Sequence, residues 1–130
     1  MQDRPTVDEL LEAVAGFLRD DVMPNTVGRI NFHARVAGNV MEMLRRELHH
    51  REEQLFREWN SLDGVLGPES PPPGLDAMQA RLLERNRELA GKIRAGFADD
   101  GERRTVLMAH LRIITHDKLV VSNPALAGQA

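Results

Sequence analysis

The stretch Thr6–Val22, TVDELLEAVAGFLRDDV, decides the fold class, because its apolar side chains recur every three or four residues. At about 100° per residue these side chains form one stripe, and the acidic residues lie on the other side. Thr6 and Glu9 have the spacing of a capping box, in which each side chain accepts a hydrogen bond from the other residue's backbone amide. The stretch therefore predicts an amphipathic helix that begins after Thr6 and ends before Pro24.

The same period continues through the middle of the chain. It predicts a second helix from about Arg29 to Leu48 and a shorter third helix that carries Trp59 on its apolar side. The polar segment between them leaves open whether His49 and His50 mark a break or a bend. Trp59 is expected in the core, and the alternative is an anchor in an interface.

Two more helices are expected in the second half of the chain. Asp76 is predicted to cap a fourth helix that reaches about Phe97, and a fifth runs from about Glu102 to Val121. The fifth helix is apolar around most of its circumference. Before the fourth, the segment 63–74, DGVLGPESPPPG, contains four prolines and three glycines and is predicted to be a connecting loop.

These elements predict an all-α protein, since no alternating strand pattern of useful length occurs. Short connections between long helices favour an up-and-down bundle of four to five helices. A length of 130 residues predicts a single helical domain over 1–130, with residues 124–130 as a loose tail.

Composition excludes several classes of function. Hydrophobic residues make up 42% and charged residues 28% of the chain, and no apolar run is long enough for a membrane span. The formal net charge of -3 argues against binding to nucleic acid. The acidic N-terminus does not resemble a secretory signal, and the lack of cysteine suits a reducing compartment, so a cytoplasmic location is expected.

The sequence contains no recognisable motif for nucleotide binding or acyl hydrolysis, and we predict no cofactor and no catalytic residues. His116 and Asp117 share only two letters with metal-dependent phosphohydrolases. Glu47 and His50 have the spacing of a di-iron carboxylate motif, but the second copy that such a site needs is missing. We therefore predict that the protein holds no metal.

Four polar residues fall at the centres of apolar stripes and form the candidate site: His33, Asn86, His110 and Asp117. Burying them without partners would be unfavourable, so partners are expected. For Asp117 the candidates are His33, Arg94 or the backbone amides of a helix N-terminus. An internal polar network is favoured, and the alternatives are a ligand-lined cleft or acid–base catalysis.

Three stretches resemble a known family: DRPTVDELLEAVAGFL at 3–18, NFHARVAGNV at 31–40 and KIRAGFADDGERRTVLMAHLRIITHDKLVVSNP at 92–124. The family consists of small, uncharacterised, all-helical bacterial proteins, often encoded beside aminoglycoside-phosphotransferase-like kinases and acyl-CoA dehydrogenases. The resemblance implies an accessory role near acyl-CoA metabolism, with a kinase-like or dehydrogenase-like enzyme as a possible partner.

We therefore expect a non-catalytic helical accessory protein that acts by binding another protein. The apolar fifth helix predicts self-association, as a twofold dimer, because a short bundle offers few other helices to cover it. The alternative is a small-molecule-binding bundle, or a minor enzyme that uses the buried polar cluster.

Overall fold

The structure is a computed structural model, and it describes residues 3–129. Over this range the chain is all-α, as predicted, and consistent with a helical bundle. The elements are α1 (Val7–Gly16), a π-helical turn that continues it (Phe17–Val22), α2 (Gly28–Leu66), α3 (Leu75–Arg94), α4 (Gly101–Ser122) and α5 (Pro124–Ala127). None of these helices combines the length and the apolar composition that a membrane crossing needs.

The predicted capping box at the start of α1 is confirmed. The amide of Glu9 donates to Thr6 Oγ1 at 3.2 Å, and the amide of Thr6 donates to Glu9 Oε2 at 2.7 Å. These bonds satisfy two donors that a helix N-terminus would otherwise leave without a partner.

The second and third predicted helices are one continuous helix, α2. His49 and His50 lie inside it, so they do not mark a break. The predicted start of the loop at Asp63 was wrong, because residues 63–66 are helical. The helix instead ends at Leu66, and the next residue, Gly67, has a φ of 103°, a left-handed conformation that favours glycine.

Other boundaries also differ from the prediction. Asp76 does not cap the next helix, because α3 already begins at Leu75, after Gly74 with its φ of 88°. The predicted loose tail contains α5, which is capped by Asn123, whose side chain accepts a hydrogen bond from the amide of Leu126 at 3.4 Å. Ala127 at the end of α5 is buried.

The chain divides into two compact units, one up to His50 and one from Arg51 onward. The first contains α1, the π-helical turn and the first part of α2, and the second contains the rest of α2 with α3, α4 and α5. The single domain expected from the sequence stays a prediction. The hydrophobic core lies in the second unit and includes Trp59, Leu62, Met78, Leu82, Leu89, Ala98 and Leu107.

Candidate interaction surface

The first unit is an antiparallel helical hairpin. Near its open end Arg45 of α2 pairs with Asp8 of α1. Towards the turn, a Cβ atom added at Gly38 would lie 4.0 Å from Cβ of Leu18, so α2 lies beside the first helical segment here as well. Residue numbers that rise along one helix therefore fall along the other, as antiparallel packing requires.

One edge of this hairpin is covered by ion pairs around Arg45. Its guanidinium donates to Asp8 at 2.8 and 3.1 Å, to Glu12 at 3.3 Å and to Glu42 at 3.4 Å. The hydrogen bond from Arg45 holds the pKa of Asp8 below its ordinary value. The charges at this edge thus have partners within the chain.

Most large apolar side chains of the first unit are exposed. Among residues 3–50 the buried residues are Ala15 and Ala34 alone, whereas twelve large hydrophobic residues are at least 37% exposed. The twelve are Val7, Leu10, Val14, Phe17, Val27, Ile30, Phe32, Val36, Val40, Met43, Leu44 and Leu48. A hairpin of this kind has an apolar face but almost no core of its own.

Helical geometry brings most of these side chains to one side of the hairpin. In α1 the row containing Leu10 and Val14 is centred roughly 100° around the helix from buried Ala15, and in α2 the row around Val40 is roughly 130° from buried Ala34. Both rotations have the same sense when each helix is viewed from its own N-terminus. Because the helices are antiparallel, the two rows lie on the same side, which we call the apolar face.

A groove of about 370 Å³ crosses the apolar face near the turn. The residues that line the groove are mostly aliphatic, and they include His33. The imidazole of His33 is exposed, accepts a hydrogen bond from Arg29 Nε at 3.3 Å and meets the ring of Phe32 edge-on. The residues that line the groove are Leu18, Val22, Arg29, Ile30, His33, Ala34 and Ala37. His33 is thus part of the exposed apolar face and is not buried.

The other three candidate residues belong to the second unit. His110 is 1% exposed, and its Nδ1 is 2.7 Å from Ser61 Oγ. Asn86 donates to Glu58 Oε1 at 2.6 Å. All three, including Asp117, have partners on the part of α2 that belongs to the second unit. His33 lies on the part of α2 that belongs to the first unit, so it is not grouped with them.

The partner of Asp117 is Arg57, so the three partners predicted from the sequence were wrong. The Arg57 guanidinium donates to the buried carboxylate, and Gln54 donates to the backbone oxygen of Asp117 at 3.0 Å. The sequence carries little signal of this pairing, because Arg57 lies in a segment with as many acidic as basic neighbours. Only the packing of α4 on α2 selects it.

Sequence reasoning missed a second buried charge, Arg85, which is 2% exposed. Its Nη2 donates to Asp63 at 2.7 Å and to the backbone oxygen of Gly67 at 3.0 Å, and its guanidinium lies 4.6 Å from the centre of the Trp59 ring. The sequence did contain a signal of this burial, because Arg85 continues the apolar row of Met78, Leu82 and Leu89.

The predicted loop is also more than a connector. Glu69 accepts two hydrogen bonds from Arg81, at 2.6 and 2.8 Å, and its backbone oxygen accepts one from the Trp59 indole at 3.0 Å. The bond from Arg81 holds the pKa of Glu69 below its ordinary value. This loop is therefore fixed to both helices that it joins.

The geometry limits what the buried polar contacts can do chemically. Ser61 and His110 are hydrogen-bonded like a nucleophile and its base, but a substrate could not reach the ring without separating α2 from α4. Burial lowers the pKa of His110, while nearby Glu58 raises it and Arg85 lowers it further. Within residues 3–129, no group of three or more acidic or histidine side chains is arranged to hold a metal ion.

A second apolar surface lies on the outside of α4, the helix predicted to be apolar nearly all round. A groove of about 360 Å³ there is lined by Met108, Leu111, Arg112, Thr115, His116 and Leu119. Met108 and Leu111 are each about 40% exposed. The groove contains two exposed large hydrophobic residues, whereas the first unit contains twelve.

Fold and surface together define a small all-α protein with an unpartnered apolar face. The sequence model of the domain of unknown function DUF6285 matches residues 24–126, so the chain belongs to this family. The match confirms the resemblance to an uncharacterised domain. No curated protein and no solved structure shows a significant match to the chain.

Proposed function

We propose that the protein is a non-catalytic interaction protein, and that the apolar face of its first unit binds a second copy of the chain. The observation that carries this proposal is the contrast within residues 3–50 between twelve exposed large hydrophobic residues and two buried alanines. A soluble monomer rarely exposes a contiguous apolar patch of more than a few hundred Å². A partner that covers the face removes its apolar surface from water.

The size of the face suits a stable dimer. If about ten of the twelve side chains lie on the face and each exposes on the order of 80 Å², the face amounts to roughly 800 Å², the area that a standard interface buries on each partner. Two hairpins that meet through such faces form a four-helix bundle, a common and stable arrangement. A second copy is the natural partner because it carries the same apolar surface, and its charges are already paired at the other edge.

Light scattering after size exclusion tests the proposal. At micromolar concentration we expect about twice the chain mass of 14.6 kDa. Leu44→Glu should give a monomer, since it places a charge on the apolar face. Leu83→Glu is the matched control, because Leu83 is also an exposed helical leucine but lies on α3 in the other unit. A monomeric wild type, or a monomeric control with unchanged helicity, would refute the assignment.

The resemblance to proteins encoded beside kinase-like and acyl-CoA dehydrogenase-like enzymes supports a further part of the proposal, a cytoplasmic enzyme partner. The groove outside α4 would serve such a partner, since it leaves the hairpin free for the second copy. Co-expression with the neighbouring enzyme tests this idea. Leu111→Glu should abolish co-purification, whereas Leu44→Glu should not. If both variants still co-purify with the enzyme, the groove is not its binding site.

A further inference from the structure

If two copies pair through the apolar face, as proposed above, the exposed side of α2 specifies how they pair. Its central row consists of residues spaced by three and four positions, as in helices that pack along their length. The row is His33, Val36, Val40, Met43 and Glu47, all of them exposed. It contains two ionisable residues, one near each end, with apolar residues between them.

We infer that α2 of one protomer packs antiparallel against α2 of its partner, with the twofold axis at Val40. Residues at equal distances from Val40 then meet at the same height. His33 and Glu47 are each seven residues from Val40, which corresponds to roughly 10 Å along the helix and within about 20° of its direction. Each imidazole therefore faces a carboxylate of the other copy, and the dimer contains two such pairs.

The apolar residues obey the same symmetry. Val36 and Leu44 are each four positions from Val40, and Ala37 and Met43 are each three positions away. Val36 of one copy therefore faces Leu44 of the other, and Ala37 faces Met43, so apolar residues meet apolar residues on both sides of the axis. The row is thus complementary to itself when it is turned end to end.

Other arrangements lose this complementarity. Parallel pairing would set His33 against its own copy and Glu47 against its own copy, and like charges in an interface are unfavourable. A shift of one helical turn would set His33 against Met43, and a shift in the other direction would set Glu47 against Ala37. Either shift would bury an ionisable group against an apolar residue.

Cysteine cross-linking tests the position of the axis, because the chain contains no cysteine of its own. In Val40→Cys the two thiols meet at the twofold axis, so mild oxidation should convert most of the protein into a covalent dimer within minutes. Asn39→Cys is the control, since residue 39 is also exposed but points about 100° away from the axis. Equal cross-linking of both variants would overturn the inferred geometry.

A charge exchange tests the pairing of His33 with Glu47. His33→Glu should raise the dissociation constant of the dimer at least tenfold, because it faces Glu47 of the partner. The double variant His33→Glu/Glu47→Lys should return to within about threefold of wild type. Asn39→Glu adds a similar charge outside the row and should have little effect, and circular dichroism should show unchanged helicity in every variant.

The outcomes separate the two proposals. A wild-type protein that stays monomeric refutes self-association itself. A wild-type dimer whose charge exchange does not restore affinity, and whose Val40→Cys variant does not cross-link, leaves self-association standing and refutes the antiparallel register alone.

Discussion

Removing Arg57 should destabilise the protein more than removing the charge of Asp117, although Arg57 is the more exposed partner. The side chain of Asp117 is 9% exposed, and that of Arg57 is 41% exposed and also pairs with Glu53. In Asp117→Asn the Arg57 guanidinium is still partly exposed to solvent and still pairs with Glu53. The amide oxygen of the new asparagine can also accept a hydrogen bond from it. We therefore expect a loss of about 1 kcal/mol in the free energy of unfolding.

Arg57→Met leaves a buried carboxylate without its cation. The nearest remaining cationic group among the described residues is the His116 ring, whose Nδ1 is 3.8 Å from Asp117 and which is charged only when protonated. Breaking a fully buried ion pair costs about 3–5 kcal/mol, and the partial exposure of Arg57 places this case near 3 kcal/mol. The double variant Arg57→Met/Asp117→Asn should recover part of that loss, because it removes the unpaired charge.

Urea unfolding followed by circular dichroism measures these differences. All variants should be compared at one protein concentration, since the stability of a dimer depends on it. With a slope of about 2 kcal/mol per molar urea, Arg57→Met should lower the midpoint by about 1.5 M and Asp117→Asn by about 0.5 M. If Asp117→Asn is the more damaging substitution, or if neither moves the midpoint, the burial argument is wrong.

Two further predictions concern histidine and metal. Because burial lowers the pKa of His110, the unfolded chain takes up the proton more readily than the folded one, so stability present above about pH 6.5 should be lost as the pH falls below it. His110→Asn should show a weaker loss between about pH 7 and pH 5 in urea titrations, and an unchanged pH dependence would contradict this assignment. Thermal melts with and without chelator should coincide, since the described residues contain no cluster that could hold a metal; a large shift in midpoint would reveal a site assembled in another way.

The helices and their apolar sides could be predicted because both depend on local order in the sequence. The capping box at Thr6 involves residues three positions apart, and its geometry follows from the backbone of a helix start. The ends of α2 and α3 were harder to place. Whether Gly64 or Gly67 ends a helix depends on packing, and Gly64 stays helical beside Val106 of α4.

The candidate site was accessible from the sequence only in part. The helical period placed His110 and Asp117 on the inner side of the last long helix, and both are buried. It also placed His33 on an apolar stripe of α2, but this stripe faces outward in the first unit. The period alone cannot tell a stripe that packs against the same chain from one that awaits a partner, so the exposure of His33 required the structure.

The proline-rich loop between α2 and α3 also affects the unfolded chain. Ordering the backbone of one residue costs about 1–2 kcal/mol of conformational entropy, and the ring of proline removes part of that freedom before folding begins. Four of the eight residues from Gly67 to Gly74 are prolines. The loop therefore loses less backbone entropy on folding than a loop without proline, when the carbonyl of Glu69 comes to accept the hydrogen bond from the indole of Trp59.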